Sequence, residues 1–235
     1  MNVNNSCIMT DIQLHYIEQG QGQPLILLHG NGESCDYFEH QIAYFSKDYR
    51  VIAIDTRGHG KSPRGEKPFT IVQFAEDLHD FMDDKAIGKA ILLGFSDGGN
   101  IALTFALKYP ERVDKMIVDG ANLFPSGVKP IYQWPIEIGY RIAKMFAKKS
   151  EEAKKNAEML GLMVNEPHID PSDLARLKMP VLVVAGTKDM IKDKHTRLIY
   201  NSLPNAKLEI IAGDHFVANK NYEALNSIVE AFLKE

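Results

Sequence analysis

Short apolar runs alternate with longer amphipathic stretches along this chain. The runs are rich in β-branched residues, and most of them end at a glycine or an aspartate. They are Leu25–His29, Val51–Asp55, Ala90–Leu93, Met116–Val118, Val181–Ala185 and Leu208–Ala212. Strands of a parallel sheet show this pattern because both of their faces are buried. The runs therefore predict the strands of a mostly parallel sheet.

The stretches between these runs have the periodicity of helices. Thr70 and Gln73 form a capping box ahead of a segment with one apolar face. Asn100–Tyr109 and Tyr222–Leu233 have similar apolar faces. This alternation of strands and helices predicts βαβ units and an α/β sheet flanked by helices. Asp11–Gln19 alternates apolar and polar residues instead, which predicts an antiparallel edge strand.

One interval, residues 122–173, contains no strand pattern. It holds several prolines and two helical patches, near Ile136–Lys149 and Glu151–Met163. An interval of this length is too long for a plain loop. We interpret it as a helical insertion within a single domain that spans residues 1–235.

Composition and charge exclude several classes of function. Hydrophobic residues make up 45% of the chain and charged residues 25%, as in ordinary globular domains. The formal net charge of −4 argues against a nucleic-acid binder, which would carry a basic excess. No apolar stretch approaches the roughly 18 residues of a membrane span, and no basic membrane-surface segment is evident. We therefore expect neither a nucleic-acid nor a membrane partner.

The N-terminus and the cysteines indicate the compartment. The first residues lack the charged and apolar regions of a secretory signal. Cys7 and Cys35 form neither a metal-ligand spacing nor a disulfide framework, although two cysteines can pair if the fold brings them together. We expect a cytoplasmic protein without a bound metal.

The segment Gly94–Gly98 matches the G-x-S-x-G motif, with Ser96 at its centre. It follows a predicted strand and precedes a predicted helix, which is the context of a nucleophile elbow. The serine of such an elbow lies on a sharp turn, and glycines on either side avoid clashes of Cβ atoms. We therefore predict that Ser96 is a catalytic nucleophile rather than a loop serine.

A serine nucleophile needs a base and an orienting acid. In an elbow of this kind the acid should follow the serine along the chain, and the histidine should follow the acid. His215 follows the last predicted strand and is the candidate base. The other downstream histidines fit less well, because His168 lies in the insertion and His195 in a polar helix predicted to be exposed. Asp189 follows the penultimate strand and is the favoured acid, and Asp119 at the end of an earlier strand is its competitor.

Two backbone N–H groups are candidates for an oxyanion hole. His29-Gly30-Asn31 follows the first parallel strand, and an H-G-x motif there supplies the N–H of Asn31. The residue after the nucleophile, Asp97, supplies the second. The turn 55–62 (DTRGHGKS) is rich in glycine, and we interpret it as scaffold.

Together these motifs resemble the α/β-hydrolase fold family. The segments LLHGNG, DTRGHGKS, GFSDGG, AGTKD and GDH occur in this order, and the resemblance extends from about Leu25 to Phe232. GFSDGG with KYPERV and DGAN is similar to small carboxylesterases, including the biphenyl-hydrolase-like branch that cleaves amino-acid esters. The resemblance implies a short helical cap inserted after the sixth strand, where residues 122–173 fall.

The predicted activity is hydrolysis of a small carboxylic ester, amino-acid esters and amides included, through an acyl-enzyme. Phe95 and Phe216 flank the predicted triad, and Trp134 lies in the cap, so these three are candidates for contact with substrate. The Asp97 carboxylate has two interpretations, favourable helix electrostatics or binding of a substrate ammonium group. The alternative function is a small-molecule sensor that recruits a partner through its cap. Neither function implies a cofactor.

Overall fold

A seven-stranded sheet forms the centre of the molecule in the computed structural model, which describes residues 11–235. The strands are β1 (Tyr16–Gln19), β2 (Pro24–Leu28), β3 (Arg50–Ile54), β4 (Ala90–Phe95), β5 (Val113–Asp119), β6 (Val181–Gly186) and β7 (Ala206–Ile211). Their order is β1-β3-β2-β4-β5-β6-β7. β1 pairs antiparallel with β3, and every other pair is parallel. The predicted α/β architecture is confirmed.

Helices cover both faces of the sheet. They are α1 (Glu39–Phe45), α2 (Ile71–Asp84), α3 (Asp97–Lys108), α4 (Pro130–Phe146), α5 (Glu151–Asn165), α6 (Asp193–Ser202), α7 (Val217–Lys220) and α8 (Tyr222–Leu233). One core contains residues of α2, α3 and α6, and the other contains residues of α1, α7 and α8. Over residues 11–235, no helix combines the length and the apolar character needed to cross a bilayer.

The central strands are buried on both faces, as the continuous apolar runs predict. In β2, Leu25 and Leu27 belong to one core, whereas Ile26 and Leu28 belong to the other. This alternation follows from the period of two along a strand. At the N-terminus of α2, the Thr70 hydroxyl accepts a hydrogen bond from the Gln73 N–H at 3.1 Å, so the predicted cap is present.

The insertion forms α4 and α5, which pack against each other. Within the described sheet it follows the fifth strand, β5, one strand earlier than the resemblance implies. The reason is that only β1 precedes β2 among the described strands. The predicted edge strand is also shorter than Asp11–Gln19, because its pairing with β3 begins at Tyr16.

The prediction of an exposed His195 is wrong. His195 lies on the inner face of α6 and is buried. Its Nε2 accepts a hydrogen bond from the Leu123 N–H at 2.9 Å, and burial lowers the pKa of the imidazole to about 4. His195 thus holds the start of the insertion against α6 as a neutral side chain.

A buried arginine connects the turn after β3 to α2. The Arg57 guanidinium is 0% exposed and donates two hydrogen bonds to Asp77, at 2.7 and 2.6 Å. It donates two more to Asp11, both at 2.8 Å. These hydrogen bonds hold the pKa of Asp11 well below its usual value. The contacts agree with the interpretation of this turn as scaffold.

We expect Arg57→Leu to lower the free energy of unfolding by about 3–5 kcal/mol, because the substitution leaves the buried Asp77 carboxylate without its charged partner. Urea denaturation followed by circular dichroism measures the loss. The double variant Arg57→Leu/Asp77→Leu is the control, and it should recover part of the stability because the carboxylate that remains without Arg57, Asp11, is exposed to solvent. A loss below about 1 kcal/mol for the single variant would contradict this account.

Candidate active site

Ser96 lies on a sterically crowded turn between β4 and α3. Its backbone angles, φ 52° and ψ −118°, lie in a region that residues with a side chain seldom adopt. A Cβ atom on Gly94 would lie 2.2 Å from the Gly98 carbonyl oxygen. A Cβ atom on Gly98 would lie 1.8 Å from the Leu28 carbonyl oxygen. The motif therefore needs both glycines for close backbone approach, as its sequence suggests.

The structure brings Ser96, His215 and Asp189 together, although 119 positions separate the serine from the histidine. The Ser96 Oγ lies 3.0 Å from His215 Nε2, and His215 Nδ1 lies 2.7 Å from Asp189 Oδ1. Burial raises the pKa of Asp189, but hydrogen bonds from His215 and from the N–H groups of Ile191 and Gly186 outweigh this effect. The net pKa is below the ordinary value, so Asp189 is a carboxylate that can hold an imidazolium.

The competing acid, Asp119, is in a different environment. Both of its carboxyl oxygens are buried, and neither has a hydrogen-bond partner among residues 11–235. Burial and the nearby charge of Asp189 raise the pKa of Asp119 well above its ordinary value. This environment favours the protonated form of Asp119, and its side chain makes no hydrogen bond to His215.

The loop after β2 lies against the nucleophile. A Cβ atom on Gly30 would lie 3.2 Å from the Ser96 Cβ, so the backbone passes close to the serine. In the described chain, the N–H groups of Asn31 and Asp97 donate to no protein acceptor. These two N–H groups are therefore free to donate to a substrate oxygen, as an oxyanion hole requires.

An amide network joins this loop to the elbow helix. The Asn31 side chain donates to Asp97 Oδ2 at 3.0 Å and to the Met159 carbonyl of the cap at 2.9 Å. Asn100 donates to Asp97 Oδ1 at 3.1 Å and to Asn122 Oδ1 at 3.1 Å. Neither Asn100 nor Asn122 was predicted from the sequence, because an asparagine in a helix or loop belongs to no recognised motif. Only the fold shows that both lie close to the elbow.

The side chains that were predicted to contact substrate differ in their exposure and in their distance from His215. Phe95 is buried, its ring 4.9 Å from the His215 ring, and Phe216 is exposed beside the same histidine. Trp134 is 67% exposed on α4, so most of its side chain contacts no other part of the described chain. Both Asp97 oxygens accept amide hydrogen bonds, and burial raises the pKa of this carboxyl.

Glu33 and Tyr37, on the segment after the glycine turn, were not singled out by the sequence analysis. One Glu33 oxygen, Oε2, and the Tyr37 hydroxyl are buried without a hydrogen-bond partner in the described chain. Burial raises the pKa of Glu33 to about 7, against the opposing charge of His215. The Tyr37 ring stacks on Phe95 at 4.5 Å. An acidic residue directly after the oxyanion turn was the available signal.

Among the described residues, one group of side chains brings together atoms of the kind that bind metal ions. The ligand atoms of His15, Cys35 and Asp55 lie within 4.8 Å of one another. Asp55 already accepts hydrogen bonds from the N–H groups of Cys35 and Lys61, at 2.7 and 2.8 Å, and lies 2.9 Å from His15 Nδ1. These contacts explain the cluster as a structural network. The possible partner of Cys35, Cys7, lies outside the described residues.

Comparison with known proteins identifies the family to which this chain is similar. Residues 23–158 match the family model described as the alpha/beta hydrolase fold. The human serine hydrolase BPHL is 29% identical over 95% of this chain and 84% of its own length. The 3-oxoadipate enol-lactonase 2 of Acinetobacter baylyi is 28% identical over 95% of this chain and 94% of its own length.

Solved structures have the same fold. The crystal structure of the enol-lactonase from Burkholderia xenovorans superposes with a TM-score of 0.81. The match covers 95% of this chain and 97% of that chain, at 21% sequence identity. At this identity the similarity establishes the architecture alone.

We expect the raised pKa of Glu33 to make the protein less stable as pH rises. The folded state retains the Glu33 proton up to about pH 7, whereas the unfolded chain releases it near 4.5, so stability is lost between these values. Glu33→Gln should remove this loss. As the pH rises from 5 to 8, the free energy of unfolding of the variant should increase relative to that of wild type by about 1–2 kcal/mol, after allowance for partial exposure. Urea unfolding at the two pH values measures the difference.

The matched control is Glu111→Gln, since Glu111 is an exposed glutamate. This variant should follow the wild-type pH dependence of unfolding. An unchanged pH dependence in Glu33→Gln would show that the Glu33 carboxyl titrates as it does in the unfolded chain.

Proposed function

Because this chain belongs to the α/β-hydrolase fold family and is a hydrolase of ester bonds, we propose that it cleaves small carboxylic esters through Ser96, His215 and Asp189. The proposal rests above all on one continuous line of contacts. Ser96 Oγ lies 3.0 Å from His215 Nε2, and His215 Nδ1 lies 2.7 Å from Asp189. These distances suit transfer of a proton from a hydroxyl to an imidazole.

In the first half of the reaction, Ser96 Oγ attacks the ester carbonyl carbon, and His215 Nε2 accepts the hydroxyl proton. The carbonyl electron pair moves to oxygen, where the N–H groups of Asn31 and Asp97 stabilise the oxyanion. The tetrahedral intermediate collapses, and His215 returns the proton to the leaving alkoxide. The alcohol departs and the acyl group remains on Ser96.

In the second half, His215 removes a proton from water, and the resulting hydroxide attacks the acyl carbon. Collapse of this second intermediate breaks the bond to Ser96 Oγ, which recovers its proton from His215. Throughout, Asp189 accepts the hydrogen bond of Nδ1–H, which selects the required tautomer and stabilises the imidazolium. The reaction consumes one water and needs no cofactor.

The substrate class that we propose is a small ester, cyclic or open-chain. The enol-lactonase is named for a cyclic ester and BPHL as a serine hydrolase, and both align over nearly all of this chain. Binding of an amino group by the Asp97 carboxylate has less support, because Asn31 and Asn100 already donate to both of its oxygens. We propose instead that Asp97 positions Asn31 next to the nucleophile.

We expect Ser96→Ala to lower kcat for short p-nitrophenyl esters by a factor on the order of 10⁶, because the triad acts as a unit. The measurement is multiple-turnover hydrolysis, with fluorophosphonate labelling of Ser96 followed by mass spectrometry. Ser227→Ala, which alters an exposed serine of α8, is the control and should retain wild-type kcat. Labelling of Ser96 without turnover would favour the sensor function, and activity within tenfold of wild type would exclude Ser96 as the nucleophile.

Asp189→Asn and Asp119→Asn form a matched pair of isosteric substitutions. We expect Asp189→Asn to lower kcat by about 10⁴, since the amide favours the wrong His215 tautomer. Asp119→Asn should have a far smaller effect, because the Asp119 carboxyl makes no hydrogen bond to His215 or to any other described residue. Steady-state kinetics of the two variants decide the assignment, and the reverse order would identify Asp119 as the orienting acid.

A further inference from the structure

Helix α4 of the cap has the reverse of the usual polarity. Its one buried residue is the polar Gln133. Most of the large exposed hydrophobic side chains in the described chain lie on this helix. They are Ile131 (75% exposed), Tyr132 (44%), Trp134 (67%), Ile138 (59%), Ile142 (52%), Met145 (68%) and Phe146 (47%). Large exposed apolar side chains that are grouped on one helix in this way mark a binding surface.

The exposed apolar residues form one line along the helix. Ile131, Trp134, Ile138, Ile142 and Met145 follow one another at intervals of three or four positions, and we call them the α4 stripe. Residues at these intervals share one face of a helix.

Most of the α4 stripe lies outside the packing of the cap, and its member Ile142 borders the open cleft between α4 and α5. The opposite side of α4 packs on α5, where Gln133 donates to the Met163 carbonyl. A Cβ atom on Gly139 would contact Leu160 at 3.3 Å, and Tyr140 lies against Gly161. The contacts of α4 with α5 therefore leave the stripe uncovered in the described chain.

Basic side chains border the α4 stripe. Residues 129–149 hold a single acidic residue, Glu137, in a chain whose formal net charge is −4. The basic residues of the segment are Lys129, Arg141, Lys144, Lys148 and Lys149. The last four, which we call the basic flank, are exposed and form no ion pair with a described carboxylate. They are available to an external anion.

We propose that the α4 stripe docks on an anionic lipid surface. A helix with a line of large apolar residues beside unpaired lysines and arginine has the composition of helices that lie in the plane of a bilayer interface. The apolar residues enter the acyl boundary, and the basic flank contacts anionic headgroups. The overall negative charge, which led us to expect no membrane partner, hides this local basic excess.

Charge also disfavours a second copy of this chain as the occupant. A two-fold contact through the α4 stripe would use the same surface on both copies. It would bring two basic flanks close together, and like charges at an interface oppose association. A lipid surface with negative headgroups satisfies the same residues instead.

Docking through α4 would place the active site next to the bilayer. At the start of the helix, the Lys129 side chain donates to the carbonyl of the triad residue Asp189. The Met159 carbonyl of α5 accepts the Asn31 side chain beside the nucleophile. The cap is thus tied to the catalytic elements at two points, one at the start of α4 and one on α5. The docking itself does not depend on the proposed ester hydrolysis.

Tryptophan fluorescence tests the proposal directly, because Trp134 is the single tryptophan of the chain and lies in the stripe. The full-length protein is titrated with vesicles of phosphatidylcholine alone, and with vesicles that also contain phosphatidylglycerol. We expect a blue shift of the emission with the anionic vesicles, quenching by lipids brominated on the acyl chain, and weaker binding at high salt.

Two pairs of variants separate the apolar and electrostatic contributions, with vesicle co-sedimentation as the measurement. Ile138→Ser/Met145→Ser should weaken partitioning at least about tenfold, since each loses an apolar side chain that would enter the lipid. Lys144→Glu/Lys148→Glu should weaken it by about tenfold or more. The controls are Val72→Ser, an exposed apolar residue of α2, and Lys47→Glu/Lys178→Glu, which makes the same charge change elsewhere. Both controls should bind as wild type.

Three outcomes would overturn the proposal. The first is absence of binding to anionic vesicles, and the second is equal binding to neutral ones with no effect of the stripe variants. The third is self-association in sedimentation equilibrium that Ile138→Ser/Met145→Ser abolishes, which would assign the stripe to contact between copies. Hydrolysis of a soluble ester by each variant is recorded alongside, so that failure of docking and failure of the proposed catalysis are distinguishable.

Discussion

The close approach of backbone at the nucleophile elbow is the constraint on which the rest of the site depends. Ser96 has a positive φ of 52°, and the turn is possible only because Gly94 and Gly98 lack Cβ atoms that would overlap neighbouring carbonyls. The strain of this turn, of order 1–3 kcal/mol, is supported by the buried sheet on one side and by α3 on the other. The turn places the serine hydroxyl at the carboxyl edge of the sheet, where the loops after β2, β6 and β7 also begin.

Two kinds of polar contact then organise the groups around that hydroxyl. Asp189 stays ionised although it is buried, because His215 and two backbone N–H groups donate to it. Asp119, on the neighbouring strand, has no such donors among residues 11–235, and burial raises the pKa of its carboxyl well above the ordinary value. The carboxylate that accepts a hydrogen bond from the histidine is therefore Asp189. The amide network around Asp97 joins the loop after β2, which carries the Asn31 N–H, to the start of α3, which carries the Asp97 N–H. One member of the network, Asn31, also reaches the cap.

The cap combines two surfaces with different chemistry. Its inner side is joined to the catalytic elements by polar contacts of Asn31 and Lys129, and the start of the insertion is joined to α6 by the buried His195. Its outer side carries the exposed α4 stripe and the basic flank, whose side chains form no ion pair with a described carboxylate. An arrangement of this kind couples the position of a surface helix to the site beneath it, because α4 cannot shift without disturbing contacts to Asp189 and α5.

The sequence by itself determined the parallel strands, the elbow and the order of the candidate residues, because these depend on local patterns: apolar runs for buried strands and glycines for a tight turn. It left Asp189 and Asp119 as competitors, since each simply follows a strand, and it misplaced His195 because a short polar helix conceals its single buried face. Only the tertiary structure decided which carboxyl meets His215, that Asn100 and Asn122 support the elbow, and that Trp134 faces outward. Each of these features depends on contacts between side chains, or on their absence, across distant parts of the chain. A local sequence pattern cannot predict such contacts.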